Sequence, residues 1–283
     1  MEHIAYIDGE FVAAADAKIS VFDRGFLFAD SIYEVLPVYQ GRAYFVERHL
    51  ARLENSLAST KIPLPKLDWS SLFQELISRN GGGDLQIYLQ ITRGNQGSRQ
   101  HDIPKQLTPT VVAYTLHTPY PTFTEKQHGL HALLVDDIRW MRCNIKTTSL
   151  IANILLNDEA VSQGANTALL IRDGYLTEGS SSNAFIVDTD GSIKTPPDDN
   201  LCLPGITRQL TIELIKKLKW PFHEEKISKK CLLNAKEVWI TSTSKEIYPV
   251  TRIDKLSIGT GVAGEYWQQI DNEYQHLIKN NHD

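Results

Sequence analysis

Residues 117–129 read HTPYPTFTEKQHG, and their reading decides how the rest of the chain divides. Prolines at 119 and 121 are interleaved with threonines and charges, and no apolar period of helix or strand runs through them. Taking 119–128 as an interdomain linker leaves an N-terminal domain over 1–118 and a C-terminal domain over 129–283. A chain of 283 residues is long for one domain and comfortable for two.

Back from that segment, TPTVVAYTL (108–116) and LQIYLQITRG (85–94) read as strands, the second preceded by a glycine run at 81–83. Helices fit Asp68 to Ser78, with Asp68 as N-cap, and His49 to Ser59, where Leu50, Leu53 and Leu57 fall at helical spacing. SIYEVLPVYQ (31–40) and RAYFVE (42–47) suit strands, and AYIDGEFVAA (5–14) reads as a hairpin turning at Asp8-Gly9. That half is expected to hold four or five strands and two helices. Forward from the segment come the strand LHALLVDDI, the helix LIANILLNDEAVSQG, and the strand NTALLIR with a hairpin through Asp173-Gly174. The strand NAFIVD, the amphipathic helix GITRQLTIELIKKLK, the buried strand EVWITST and a helix from Gly264 to Ile278 follow. Strands outnumber helices without strict alternation, so the expected class is α+β with two domains rather than a doubly wound sheet.

Composition excludes several classes of function. Apolar residues make up 42% and charged residues 22%, ordinary for a soluble globular protein. The net charge is −5 with no basic stripe, which argues against a nucleic-acid partner. Cys143, Cys202 and Cys231 are odd in number and lack metal-ligand spacing, so they read as reduced structural thiols, and no metal site is expected. MEHIAYIDGEF offers no apolar core of a signal peptide, and no run approaches the roughly 20 apolar residues that span a bilayer. The expectation is a cytoplasmic protein with no membrane partner.

Several positions could carry chemistry. Pro204-Gly205-Ile206-Thr207-Arg208 opens a helix, where free backbone N–H groups and the helix dipole favour an anion. Thr241-Ser242-Thr243 places three hydroxyls after an apolar strand, and Thr177 to Asn183 is a polar run between two strands. Lys146 lies between a strand and a helix, flanked by Trp140, Met141 and Ile145 and by the cations Arg139 and Arg142. Burial and neighbouring positive charge would both lower a lysine's pKa, as an amine nucleophile requires. Arg99 and His101, two residues apart in a loop, suit a carboxylate. Taken singly, each of these is also what an ordinary turn, helix start or solvated surface supplies.

Together they fall in a known order. The chain resembles the fold-type IV pyridoxal phosphate enzymes, a family with D-amino acid and branched-chain aminotransferases and aminodeoxychorismate lyase among its members. The matching segments are DRGFLFADSIYEV (23–35), ERHLARL (47–53), QITRG (90–94), DIRWMRCNIKT (137–147), TEGSSSNAF (177–185), LPGITR (203–208) and WITSTSKEIYPV (239–250). The resemblance implies a smaller N-terminal α/β domain, a larger C-terminal domain with a barrel-like sheet, and pyridoxal 5'-phosphate at the domain interface. It makes Lys146 the Schiff-base lysine and the acid–base group that moves the Cα proton. Glu178 becomes the partner of the pyridine nitrogen, and Arg52, Ile206, Thr207, Ser242 and Thr243 the holders of the phosphate. Leu203 matches a residue packed against the ring, and Ser181 and Ser182 match cofactor-binding positions.

Within the family, Tyr33, Arg99 and His101 match the substrate-carboxylate trap of the D-amino acid aminotransferases. That resemblance implies a homodimer, with Arg99 and His101 reaching the neighbouring active site, and small-molecule amino acid and 2-oxo acid substrates. The chain departs from the family pattern at Pro204, where lysine is usual, and at Asn144, where an acidic residue is usual. Two other readings stand beside this one: a branched-chain or other L-amino acid aminotransferase on the same fold, and a non-enzymatic phosphate-ligand binding protein.

Overall fold

The computed structural model describes residues 3–280. The chain divides into two units: residues up to Pro119 together with Ile145–Ser149, and Tyr120–Asn144 together with the chain from Leu150 onward.

The first unit contains β1 (Ile4–Ile7), β2 (Glu10–Ala13), α1 (Arg24–Phe28), β3 (Ser31–Tyr39) and β4 (Arg42–Ala43). It continues with α2 (Val46–Thr60), α3 (Trp69–Arg79), β5 (Leu85–Thr92) and β6 (Val111–Leu116). The strands form one antiparallel sheet in the order β2-β1-β6-β5-β3-β4. The Asp8-Gly9 turn forms as expected, both residues at positive φ (47° and 108°), the backbone that a tight hairpin demands. Strand alternation sends Ile32, Leu36 and Val38 of β3 and Ile87, Leu89 and Ile91 of β5 into the core, where Leu53 and Leu57 of α2 and Leu76 and Ile77 of α3 meet them. Asp68 caps α3 by accepting from Ser71 N.

The second unit contains α4 (Phe123–Gln127), β7 (Leu130–Asp136), α5 (Ile151–Ser162), β8 (Thr167–Arg172), β9 (Tyr175–Gly179), β10 (Asn183–Val187) and β11 (Ile193–Thr195). It goes on through α6 (Ile206–Lys217), β12 (Phe222–Glu224), β13 (Ile227–Ser228), α7 (Lys229–Leu233), β14 (Glu237–Ser242), β15 (Glu246–Ile253), β16 (Leu256–Ser257) and α8 (Glu265–Asn280). Its ten strands make a mixed sheet in the order β12-β11-β10-β14-β15-β7-β8-β9-β13, with β16 paired to β15. The end strands β12 and β13 do not pair with each other, so the barrel-like sheet is a curled half-barrel, not a closed one. Ala184, Ile186, Val238, Ile240, Val250 and Ile253 are among the residues that fill one side of it. The mixed, non-alternating topology is the α+β arrangement that the sequence implied.

The structure corrects four details. RAYFVE is a strand only at Arg42–Ala43; Phe45 takes a left-handed conformation (φ 57°) and starts α2 at Val46, three residues before the expected His49. A short helix, α1, was not expected; Asp23 caps it by accepting from Gly25 N. The segment around 119–128 is not irregular throughout. Thr122 and Glu125 form a reciprocal capping box that starts α4, and Lys126 is buried against Glu246 and Asp271. Thr177 and Glu178, expected in a connection, lie inside β9, leaving Ser180–Ser182 as the turn before β10, which starts at Asn183 as the strand NAFIVD implied.

Candidate active site

In the first unit, strand alternation puts Tyr33 and Glu34 on opposite faces of β3. Glu34 faces α2, on which His49 and Arg52 stand three residues apart and share one side of the helix. The Glu34 carboxylate is 0% exposed and accepts from Arg52 Nε at 2.8 Å, Arg52 Nη2 at 2.7 Å and His49 Nδ1 at 2.8 Å. Burial alone would raise its pKa, but the Arg52 charge and these hydrogen bonds outweigh burial and hold the carboxyl well below its usual range. Burial lowers His49 and favours the neutral imidazole, with Glu34 pulling the other way.

Lys146 belongs to the same unit. Its carbonyl accepts from Tyr33 N at 3.0 Å, its amide donates to Ser56 Oγ at 3.4 Å, and Thr147 bridges to Ile32. Its Nζ stands 4.2 Å from the centre of the Tyr33 ring, within cation–π range. The structure therefore brings Lys146 and Tyr33 together. Arg99 and His101 are on the exposed loop after β5, each against the Phe28 ring (5.3 and 5.2 Å).

In the second unit Glu178 is 5% exposed. Arg139 Nη1 pairs with it, and Asn183 Nδ2 and Leu203 N each donate to Oε2 at 3.0 Å. Arg139 is held in turn by two hydrogen bonds of 2.9 Å to Asp137 and by the Leu201 carbonyl. Burial pushes Glu178 up, against the pull of Arg139 and of the Leu203 N–H. Asp137 goes the other way, because Arg139 and Thr177 overcome its burial. The Arg139 charge that the sequence places near Lys146 is thus compensated by two carboxylates.

Asn183 also links Glu178 to the start of α6. Its Nδ2 donates to the Leu203 carbonyl at 2.8 Å, and a Cβ at 205 would lie 2.0 Å from its Oδ1, so glycine is required there by close approach. No side chain caps α6 at Gly205, so the N–H groups of its first turn, with Ile206 and Thr207 leading, keep their capacity for an anion. Asn183 pairs with Thr241 across β10 and β14, which brings Ser242 and Thr243 to the same end of the sheet. Ser242 Oγ accepts from Lys245 N.

Ser180 Oγ is committed to Asn157, Ser181 is exposed, and Ser182 Oγ is buried without a partner, as is Thr241 Oγ1. A buried carboxylate beside an uncapped helix start, two orphaned hydroxyls and further hydroxyls at one sheet end is a donor set that fits a protonated ring nitrogen and a phosphate. The residues present therefore fit pyridoxal phosphate.

Glu34, His49 and Asp137 were not singled out from the sequence, and Asn183 only as the end of the polar run from Thr177. The i, i+3 spacing of His49 and Arg52 on a helix facing a strand glutamate was the available signal for two of them. Cys143 and Cys202 are free and buried, with thiols pushed up by burial to about 11 and about 12. Among the described residues no cluster suited to a metal ion exists, and no helix is long and apolar enough to cross a membrane.

A model of the family described as amino-transferase class IV matches residues 31–253. The D-alanine aminotransferase of Bacillus licheniformis is 37% identical over 273 residues, covering 96% of this chain and 95% of its own length. The D-alanine aminotransferase of Staphylococcus aureus (strain N315) is 36% identical over 282 residues, covering 99% of each. Among solved structures, the Escherichia coli branched-chain amino acid aminotransferase shares the fold at a TM-score of 0.90 and 24% identity, over 98% of this chain and 95% of that one. A T.th. branched-chain amino acid aminotransferase, solved with pyridoxamine 5'-phosphate, gives 0.89 and 25% over 98% and 94%. The family match over most of the chain, with these relatives along nearly its whole length, makes this protein a member of the class IV aminotransferases.

Proposed function

We propose that this class IV aminotransferase moves the amino group of a D-amino acid such as D-alanine to a 2-oxo acid such as 2-oxoglutarate, giving pyruvate and D-glutamate by a ping-pong mechanism. The observation that carries the cofactor reading is the buried Glu178, held by Arg139, Asn183 and Leu203 N at the sheet end where α6 begins uncapped. The D-amino acid reading draws on the D-alanine aminotransferases to which the chain is 35–37% identical over nearly its full length.

Bound pyridoxal phosphate supplies a carbonyl carbon for the amino group and an electron-withdrawing ring that makes the substrate's Cα proton acidic. Lys146 Nζ is the group proposed to hold the cofactor and to take and return the Cα proton. Glu178 would keep the ring nitrogen protonated, and Leu203 would be the residue packed against the ring. Arg52, its guanidinium oriented by Glu34, would be one holder of the phosphate, and the N–H groups of Ile206 and Thr207 with the hydroxyls of Thr207, Ser242 and Thr243 would be the others. Of the turn serines, Ser182, with its unpartnered buried hydroxyl, is better suited to the cofactor than the exposed Ser181, which the sequence reading also placed there.

Tyr33, beside Lys146, and Arg99 and His101 from the loop after β5 take the substrate carboxylate. Arg99 and His101 are exposed in the single chain, which supports a homodimer in which they serve a neighbouring copy. Free thiols fit a cytoplasmic enzyme. Colour tests the cofactor reading. The purified protein should be yellow, and Lys146→Ala should lose both the visible band and transamination. A wild type that stays colourless after incubation with pyridoxal phosphate contradicts the reading.

A further inference from the structure

The loop that carries Arg99 and His101 has no helix and only one bridge, at Asn95, and its residues 97–103 are exposed. A polar surface loop of that kind ordinarily samples many conformations and loses that freedom when a ligand fixes it. Here one guanidinium gathers its backbone. Arg24, 4% exposed, donates from Nη1 to Gln96 Oε1 (2.8 Å), to Gln100 O (2.8 Å) and to Asp102 O (3.3 Å), and from Nη2 to His101 O (3.2 Å).

The anchor behind Arg24 is equally built. Its Nε donates to Asp30 Oδ2 at 2.7 Å, and Asp30 accepts two further bonds from Arg93, Nε at 2.7 Å and Nη2 at 2.9 Å. Arg93 reaches on to the carbonyls of Thr60 and Lys61 at the end of α2. Gln96 Nε2 closes the loop on itself at Ser98 O and Gln100 O. Phe28 then lies under Arg24, Arg99 and His101 at 4.9, 5.3 and 5.2 Å, so it sets where the last two side chains project.

We propose that Arg24 is a positioning residue for substrate binding, holding the 96–102 loop so that Arg99 and His101 stand together as one receptor for the α-carboxylate. This rests on the reading of Arg99 and His101 as carboxylate ligands. Because three of the loop's acceptors are main-chain carbonyls, the clamp fixes the backbone and leaves Arg99 and His101 free to face a ligand. A planar fork is needed, since lysine offers one point of charge and cannot serve acceptors spread over two guanidinium nitrogens. Amino acid and 2-oxo acid substrates share the same carboxylate group, so both are affected.

The test is steady-state kinetics of the holoenzyme variants Arg24→Gln, Arg24→Lys, Gln96→Ala and Arg99→Ala, with a tryptic time course following cleavage after Arg99. Arg24→Gln should raise KM for both substrates about tenfold, keep kcat within about twofold, leave the visible spectrum unchanged and speed the cut. Arg24→Lys should recover part of the KM, and Gln96→Ala should raise KM by a smaller factor. Arg99→Ala with raised KM but Arg24→Gln with KM and tryptic rate unchanged overturns the positioning role alone. Arg99→Ala with unchanged KM overturns it together with the reading of Arg99 on which it rests. If Arg24→Gln does not fold, Gln96→Ala decides, and unchanged KM and tryptic rate there are the contrary result.

Discussion

The Glu34 carboxylate and the Arg52 guanidinium meet in a two-point hydrogen-bonded pair, 2.7 and 2.8 Å, with Glu34 fully buried. A buried pair of this geometry balances a large desolvation cost, and removing one member leaves the other charge uncompensated. Glu34→Ala should therefore cost about 3–5 kcal/mol of stability, measured by urea unfolding of the cofactor-free protein, where no phosphate stands in for the lost carboxylate. A loss below about 1 kcal/mol would contradict that weight for the Glu34–Arg52 pair.

The same pair predicts a pH dependence. The Glu34 carboxyl is held below its ordinary value of 4.5, so the unfolded chain takes up this proton at a higher pH than the folded one does. Its contribution is fully present above about pH 4.5 and is lost as the pH falls through that value toward the folded pKa. Urea midpoints measured from about pH 6 down to about pH 3 should fall more steeply for the wild type than for Glu34→Gln. Parallel curves would contradict the assignment.

Glu178 and Arg139 separate function from stability. Glu178→Gln keeps Arg139 paired with Asp137, and it should preserve the fold while lowering kcat/KM roughly 10- to 100-fold, the worth of one hydrogen bond to a charged group. Arg139→Met removes the cation paired with buried Glu178 and leaves Asp137 to Arg172 alone, and it should destabilise by about 3–5 kcal/mol. Kinetics and thermal unfolding of the two variants check this; equal melting temperatures for both would rule it out.

At the helix start, Gly205→Ala drives a methyl group into Asn183 Oδ1, and Asn183 is also a donor to Glu178. The cost should be about 1–3 kcal/mol, accompanied by weaker cofactor binding. Thr207→Ala should weaken cofactor binding about tenfold and leave stability of the cofactor-free protein nearly unchanged. Equilibrium dialysis with pyridoxal phosphate, alongside unfolding of the cofactor-free protein, distinguishes these outcomes.

What the sequence made legible was local or periodic. The Asp8-Gly9 turn, the Asp68 cap and the alternation of SIYEVLPVYQ each carry their cause within a few residues, and each forms where expected. RAYFVE failed because the left-handed Phe45 overrides the strand propensity of its aromatic residues. The segment at 117–129 held a readable signal in Thr122 and Glu125, the spacing of a capping box, which a search for apolar periodicity passes over. Lys126 could not have been read at all, since its acidic partners are 120 and 145 residues away.

The site divides along the same line. Lys146, Glu178 and Thr207 came from motif order, whereas Glu34, His49 and Asp137 act through contacts that only a fold creates. Glu34 in particular looks like one more polar residue of a half-exposed strand until α2 lies across it. Arg24 looked like part of a short motif, and its role depends on carbonyls more than 70 residues along the chain.

The most direct measurement is half-transamination of the holoenzyme with D- and L-alanine, D- and L-glutamate and D- and L-leucine, followed by the loss of the visible cofactor band. The D-isomers of alanine and glutamate should convert the cofactor, and their L-isomers should react far more slowly. Faster conversion by the L-isomers, above all by L-leucine, would contradict the D-amino acid assignment and favour a branched-chain enzyme on the same fold.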